Sequence, residues 1–415
     1  MRSSPSPISP GDEVTAADVE AVRPAVEELA RRTPMLSSRT LSERAGGIVA
    51  MKAENLQRTG SFKVRGVAAK LASLGEEGCR NGVVAASAGN HAQALAAAAR
   101  QRGVHCEVFV PSDAPLAKVE AARGQGATIH VGGESVDECL KAALVRADEG
   151  GLAFVHPFDD PVVVAGQGSL GLELLEDVPD LAKVVVPVGG GGLCSGVAIA
   201  VKSARPGVEV VGVQVAACAP YPESLRRGEP VPAASALTIA DGIAVKRPGD
   251  LTLRLLDRWA DDVVVVGEDE TAEAMVVLME RAKLVVEGAG AVGVAALLGG
   301  QVRAAESGTT VAILSGGNVD AGLLASIARR HETEAGRRLV LFTRLPDRPG
   351  NLARLLDCVA HEGANIVDVS HVREGVDLHV RETAVELVIE SRGQEHADHV
   401  VAALKTAGYD ARIVR

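Results

Sequence analysis

From Val14 to about Leu324 the chain alternates short runs of β-branched residues with alanine-rich stretches of helical length. This alternation constrains the fold more than any other feature, because strands and helices taking turns build βαβ units with a buried parallel sheet. The strand candidates are Gly82 to Ala86, Cys106 to Val110, Thr128 to Val131, Val184 to Val188, Val208 to Val213, Asp262 to Val266 and Thr310 to Leu314. Several end directly in loops of small residues, and in open α/β sheets ligands sit at such carboxyl ends, where backbone N–H groups are exposed. Composition agrees: with 47% apolar but only 2% aromatic residues and 45 glycines, the interior must be aliphatic helices packed on strands. At 415 residues, more than one folding unit is expected.

Several function classes are excluded early. A formal charge of −11 leaves no basic face for phosphates, and two tyrosines, five phenylalanines and one tryptophan offer few stacking platforms, so nucleic acid is not an expected partner. Cys79, Cys106, Cys139, Cys194, Cys218 and Cys358 form no C-x-x-C pair and no zinc spacing, which suits free thiols in a reducing, cytoplasmic setting. Residues 1–10 are a Ser/Pro-rich tail without signal-peptide character and are expected to be disordered. Val184 to Val201 carries no charge, yet Pro187 and the following glycines would break a membrane-spanning helix, so a buried strand running into a loop is expected instead.

The polar stretch Arg329 to Arg338 interrupts the alternation and reads as a linker. Beyond it the pattern changes. Arg338 to Leu345 reads as a strand, Asp347-Arg348-Pro349-Gly350 as a turn, Asn351 to Glu362 as an amphipathic helix and Ala364 to Arg373 as a strand. Glu382 to Glu390, Glu395 to Ala407 and Tyr409 to Val414 then read as strand, helix and strand, the βαββαβ order of a ferredoxin-like unit.

Four motifs carry chemistry. Ser61-Phe62-Lys63-Val64-Arg65-Gly66 places a lysine between apolar neighbours, which alone is no signal. Ala86-Ser87-Ala88-Gly89-Asn90-His91 turns a strand into a helix whose free N–H groups can seat a carboxylate; an ordinary N-cap by Ser87 or Asn90 is the plainer alternative. Gly189-Gly190-Gly191-Gly192-Leu193 lets the backbone wrap around a tetrahedral anion, and a flexible linker fits poorly between strand and helix. Ser315-Gly316-Gly317-Asn318 puts a hydroxyl at a strand end, to pair with a ring nitrogen or simply to turn the chain. Gly288-Ala289-Gly290-Ala291-Val292-Gly293 matches the dinucleotide fingerprint G-x-G-x-x-G, so a nicotinamide-dependent dehydrogenase stands as a rival, although helix-packing glycines explain the match better.

In this order and spacing the four motifs resemble the fold type II pyridoxal-phosphate (PLP) enzymes, most closely the threonine ammonia-lyases (threonine dehydratases). His156-Pro157-Phe158-Asp159-Asp160-Pro161, Gly166-Gln167-Gly168, Ala240-Asp241-Gly242-Ile243-Ala244-Val245 and Glu287-Gly288-Ala289-Gly290 add to the resemblance. It implies a tryptophan synthase beta-like α/β catalytic region over residues 11–328, with a small parallel-sheet subdomain at roughly 60–155 inserted in a larger one. It further implies a linker at 329–337 and an ACT regulatory domain at 338–415. Lys63 would carry PLP covalently and its freed amine would take the α-proton. Phe62 and Gly242 would flank the ring, Gly189, Gly190, Gly191, Gly192 and Leu193 would cradle the phosphate, Asn90 would bond the ring hydroxyl and Ser315 would face the ring nitrogen. Ser87, Ala88, Gly89 and His91 would line the substrate carboxylate seat, and Gly350, Asn351 and Leu352 an amino-acid effector site at a subunit interface of a homo-oligomer, dimer or tetramer; a purely oligomerising ACT unit is the alternative.

The implied reaction is dehydration and deamination of L-threonine to 2-oxobutyrate and ammonia, with L-serine giving pyruvate. Serine racemases resemble this pattern but usually carry a second serine where this chain has Ala88, and a methyl group cannot transfer a proton, so elimination is expected to dominate. Gln214 to Pro220 lacks the acids that bind a divalent cation in the racemases, so no metal is expected. Sulfhydrylases tend to follow the PLP lysine with an acid, where this chain has Val64. A serine or hydroxyaspartate dehydratase or racemase is the nearest alternative, and a non-catalytic amino-acid sensor the more distant one.

Overall fold

The computed structural model describes residues 13–114, 116–374 and 377–414, and the expected tail at residues 1–10 lies outside them. The chain divides into two compact units, Met1–Asp320 and Ala321–Arg415. In the first, the described residues form strands β1 (Met35–Ser37), β2 (Val49–Lys52), β3 (Val83–Ala86), β4 (Cys106–Val110) and β5 (Thr128–Val131), followed by β6 (Ala153–Phe154), β7 (Leu181–Pro187), β8 (Glu209–Val215), β9 (Asp262–Val266) and β10 (Thr309–Ile313). Two sheets result. The larger has the order β1-β2-β10-β7-β8-β9, parallel except for β1 at its edge. The smaller, β5-β4-β3-β6, is parallel throughout. All residues of β3 and β10 are buried, which is why these strands read as unbroken apolar or β-branched runs rather than alternating ones. β1, β2 and β6 were not among the strand candidates; at two to four residues each they carry too little pattern of their own and owe their conformation to a neighbouring strand.

The helix Pro161–Asp177 joins the two halves of the site. Asp160 caps it by accepting from the Val162 and Val163 amides at 2.9 and 3.0 Å, with Pro161 in the first turn where its missing N–H costs nothing. Its small residues let two other helices approach closely: a Cβ on Gly166 would lie 2.7 Å from the Gly66 Cα, and one on Gly196 would lie 2.3 Å from the Val164 carbonyl oxygen. Through these contacts Lys63–Gly78, which begins with Lys63, and Gly192–Ala204, which follows the glycine run, are set against one scaffold.

In the second unit, β11 (Arg338–Pro346), β12 (Asn365–Val372), β13 (Glu382–Glu390) and β14 (Arg412–Ile413) form an antiparallel sheet of order β12-β13-β11-β14. Helices Asn351–His361 and Gln394–Thr406 complete the βαββαβ order, packing Leu355, Val359, Val400 and Leu404 against Leu341, Leu387 and Ile389. The catalytic region was expected to run to 328 and the linker to occupy 329–337, but the division falls after Asp320 and most of that stretch is the end of the helix Ala321–Glu334. Its charged residues lie on a solvated helix with an Arg330–Glu334 pair one turn apart, a composition that by itself reads equally well as a loop. Among the described residues no helix is long and apolar enough to cross a membrane.

Candidate active site

One pocket of the first unit is lined by Phe62, Lys63, Asn90, Gly189, Gly190, Gly191, Gly192, Leu193, Gly242 and Ser315, together with Pro157, Phe158, Gln167, Pro187, Ile243, Val245, Glu287 and Ala289. The topology explains the convergence: the glycine run follows β7, Ser315 follows β10, and these strands are neighbours in the large sheet, while Asn90 follows β3 of the small sheet. All three loops leave the carboxyl ends of parallel strands.

Two free-amide seats border this pocket. Gly191 adopts φ +89°, open to glycine, and Gly192 begins a helix with no side-chain cap. Among the described residues the amides of Gly189, Gly190 and Gly191 have no protein acceptor. At the second seat the helix Asn90–Arg102 starts after Gly89, again without a side-chain cap. Neither Ser87 nor Asn90 caps it, since Ser87 Oγ accepts weakly from the Gly89 amide at 3.3 Å and Asn90 is turned inward. A Cβ on Gly89 would meet nothing within 4 Å, so this seat is open. Ser87, Ala88, Gly89 and His91 do not line the pocket itself; they adjoin it through Asn90.

The electrostatics centre on Lys63. Its Nζ donates to the Pro157 carbonyl at 2.8 Å and lies 5.2 Å from the centre of the Phe62 ring. Burial lowers its pKa to about 8, against an opposing pull from Glu287. Burial in turn raises the Glu287 carboxyl to about 7, helped by Asp241. Glu287 Oε1 accepts from Asn90 Nδ2 at 2.7 Å, and Asn90 Oδ1 accepts from Asn318 Nδ2 at 2.8 Å, so Asn90 is held from both ends. Burial pushes His91 down to about 3; its Nε2 meets the Val155 carbonyl at 2.9 Å, while its Nδ1 is buried without a partner. Because the Glu287 carboxylate favours the Lys63 ammonium, Glu287→Gln is expected to move the Lys63 pKa down. Site-resolved acylation of Lys63 against pH checks this, and an unchanged or higher midpoint would refute the attribution.

Glu287, Asn318 and Gln167 stand inside the motifs E-G-A-G, S-G-G-N and G-Q-G, but the sequence assigns none of them a role. The signal was a polar residue inside an otherwise apolar or glycine-rich run, too common to single out without its partner. In the second unit, Gly350 adopts φ +87° and is exposed, Asn351 Nδ2 donates to the Pro346 carbonyl at 2.7 Å, and Leu352 packs on the core. The G-x-G-x-x-G run lies inside the helix Gly288–Leu298, where a Cβ on Gly288 would sit 2.4 Å from the Ile239 carbonyl oxygen and one on Gly290 2.6 Å from that of Gly316. These glycines serve helix packing.

A primary amine at the pocket floor, unpaired amides for a multiply charged anion, and hydroxyl and amide groups for a polar ring fit PLP, which carries an aldehyde, a phosphate and a substituted pyridine. The chain belongs to the pyridoxal-phosphate dependent enzyme family, whose model matches residues 26–316. Within that class it is 44% identical over 402 residues, 97% of this chain and 100% of the other, to an L-threonine ammonia-lyase of Thermotoga maritima. Among solved structures, a T.th. threonine deaminase aligns with TM-score 0.69 and 38% identity over 74% of this chain and 99% of the other. A maize serine racemase aligns with TM-score 0.73 and 33% identity over 77% and 98%.

Proposed function

We propose that the protein is an L-threonine ammonia-lyase, converting L-threonine to 2-oxobutyrate and ammonia, and L-serine to pyruvate as a second reaction. The observation that carries this reading is the meeting of Lys63, the glycine run, Asn90 and Ser315 in one pocket of a chain similar end to end to an L-threonine ammonia-lyase. When bound, PLP supplies the electron sink that lets the α-proton leave and the β-hydroxyl depart. Lys63 Nζ would anchor it and, as a free amine held near 8, would be suited to accept the α-proton. The amides of Gly189 to Leu193 would hold the phosphate, Ser315 Oγ would serve the ring nitrogen and Asn90 the ring hydroxyl, and Phe62 and Gly242 would flank the ring. Ser87, Ala88, Gly89 and His91 would receive the substrate carboxylate, with backbone N–H groups at the helix start as donors; the uncharged His91 ring is committed to the Val155 carbonyl, so the helix N-terminus rather than a cation orients it.

The test is direct: purified protein with PLP should release 2-oxobutyrate from L-threonine. Conversion of another hydroxy-amino acid in its place would move the substrate assignment, and failure to bind PLP would end the reading. Racemisation is the second reading, favoured by the likeness to the maize enzyme. Ala88 argues against it, because its methyl group cannot hand over a proton on the opposite face. Ala88→Ser is therefore expected to raise D-serine formation from L-serine by about tenfold or more; chiral chromatography measures it, and no rise would remove Ala88 as the discriminating residue. In the same reading the protein is a cytoplasmic homo-oligomer, which suits six thiols that are all free. Its ACT unit binds a regulatory amino acid near Gly350, Asn351 and Leu352; adding isoleucine or valine to the threonine saturation curve tests this.

A further inference from the structure

Behind the glycine run lies a buried polar cluster with no part in the chemistry described so far. Tyr221, one of only two tyrosines, is wholly buried. Its hydroxyl donates to the Gly190 carbonyl at 2.9 Å and lies 3.0 Å from Thr252 Oγ1. Thr252 is fixed in turn, its amide donating to Asp159 Oδ1 at 3.0 Å. One step earlier in the loop, Gln214 Nε2 donates to the Val188 carbonyl at 3.1 Å, and Gln214 Oε1 accepts the Tyr221 amide at 2.9 Å. Two alternate carbonyls of the loop are thus gripped from the side of β8.

The consequence follows from peptide geometry. In a planar trans peptide the C=O and the next N–H point in opposite directions, and no peptide bond among the described residues is cis. Fixing the Gly190 carbonyl towards Tyr221 therefore turns the Gly191 N–H away from it, and fixing the Val188 carbonyl does the same for the Gly189 N–H. Both amides lack a protein acceptor, and both glycines line the pocket. A run of glycines has no side chains with which to hold itself, so these two grips decide how much ordering remains for an incoming anion to induce. We propose that Tyr221, seconded by Gln214, is a positioning residue that preorganises the Gly189 and Gly191 amides for the phosphate of PLP. The proposal rests on the reading of the glycine run as the phosphate seat.

The experiment compares PLP with pyridoxal, which keeps the ring and aldehyde but lacks the phosphate, by equilibrium dialysis against the cofactor-stripped full chain. Tyr221→Phe retains the ring and removes only the hydroxyl. It is expected to weaken PLP on the order of tenfold while leaving pyridoxal within about twofold, since pyridoxal makes no use of the loop. Gln214→Met, which removes the grip on Val188, should show the same selective loss and carries the test if Tyr221→Phe does not fold. Equal weakening of both ligands, or of neither, would overturn the positioning role. A wild-type chain that binds PLP no better than pyridoxal would overturn the phosphate seat itself, and the proposal with it.

Discussion

Lys63→Ala is expected to lower 2-oxobutyrate formation at least about 10³-fold, because the variant loses at once the group that anchors the cofactor and the base that accepts the α-proton. The wild-type protein should show a visible absorbance band that borohydride bleaches irreversibly, and the variant should show none. Lys63→Arg keeps a positive charge without an amine that can be deprotonated at neutral pH, so it should be equally inactive. Folding should survive both changes, since burial already penalises the Lys63 ammonium and its hydrogen bond among the described residues is to the Pro157 carbonyl. Far-UV circular dichroism checks that point. Turnover within tenfold of wild type in Lys63→Ala would refute the assignment of Lys63, whatever the fate of the substrate assignment.

Two residues along the same helix, Arg65 governs stability rather than chemistry. It is 1% exposed and donates through Nε and Nη2 to both oxygens of the fully buried Glu54, each at 2.8 Å. Through Nη1 and Nη2 it also reaches both oxygens of Glu173, at 2.7 and 3.1 Å. Lys52, buried as well, pairs with Glu173 Oε2 at 2.7 Å and with Asp177 Oδ2 at 3.2 Å. Burial by itself would push the Glu54 carboxyl up, but Arg65 and Thr33 hold it below its ordinary range. Arg65→Met leaves Glu54 charged and without its cation, and should cost about 3–5 kcal/mol in chemical denaturation. Glu54→Leu combined with Arg65→Met should cost less than Arg65→Met alone, since no isolated charge remains at that end and Glu173 keeps Lys52. A single variant within about 1 kcal/mol of wild type would show that the network does not fix the Lys63 helix against Pro161–Asp177.

Much of this was legible along the chain. β4, β5, β9 and β13 fall on the residues expected of them, because a run of β-branched and apolar residues announces itself within a few consecutive positions. The three loops at strand ends were visible for the same reason: small residues at a strand–helix junction are a local signal. The stretch 329–337 reads as a linker, yet its first six residues continue the helix Ala321–Glu334, because charged surface helices and linkers share a composition.

Lys63 itself stood in the sequence as one lysine among many, raised above them by the motifs around it. The sequence alone determined most of the longer elements, their order and most of the candidate site residues, all of which depend on short-range pattern. Only the tertiary structure decided which donors meet. Asn90 and Glu287 are 197 residues apart, and Asn90 and Asn318 are 228 apart. Tyr221, just past the end of β8, finds Gly190, just past the end of the neighbouring parallel strand β7. Such pairs are fixed by how the sheets stack their carboxyl ends and by where burial strips a group of water. That same burial shifts Lys63 and Glu287 towards neutral pH, a property that no stretch of neighbouring residues encodes.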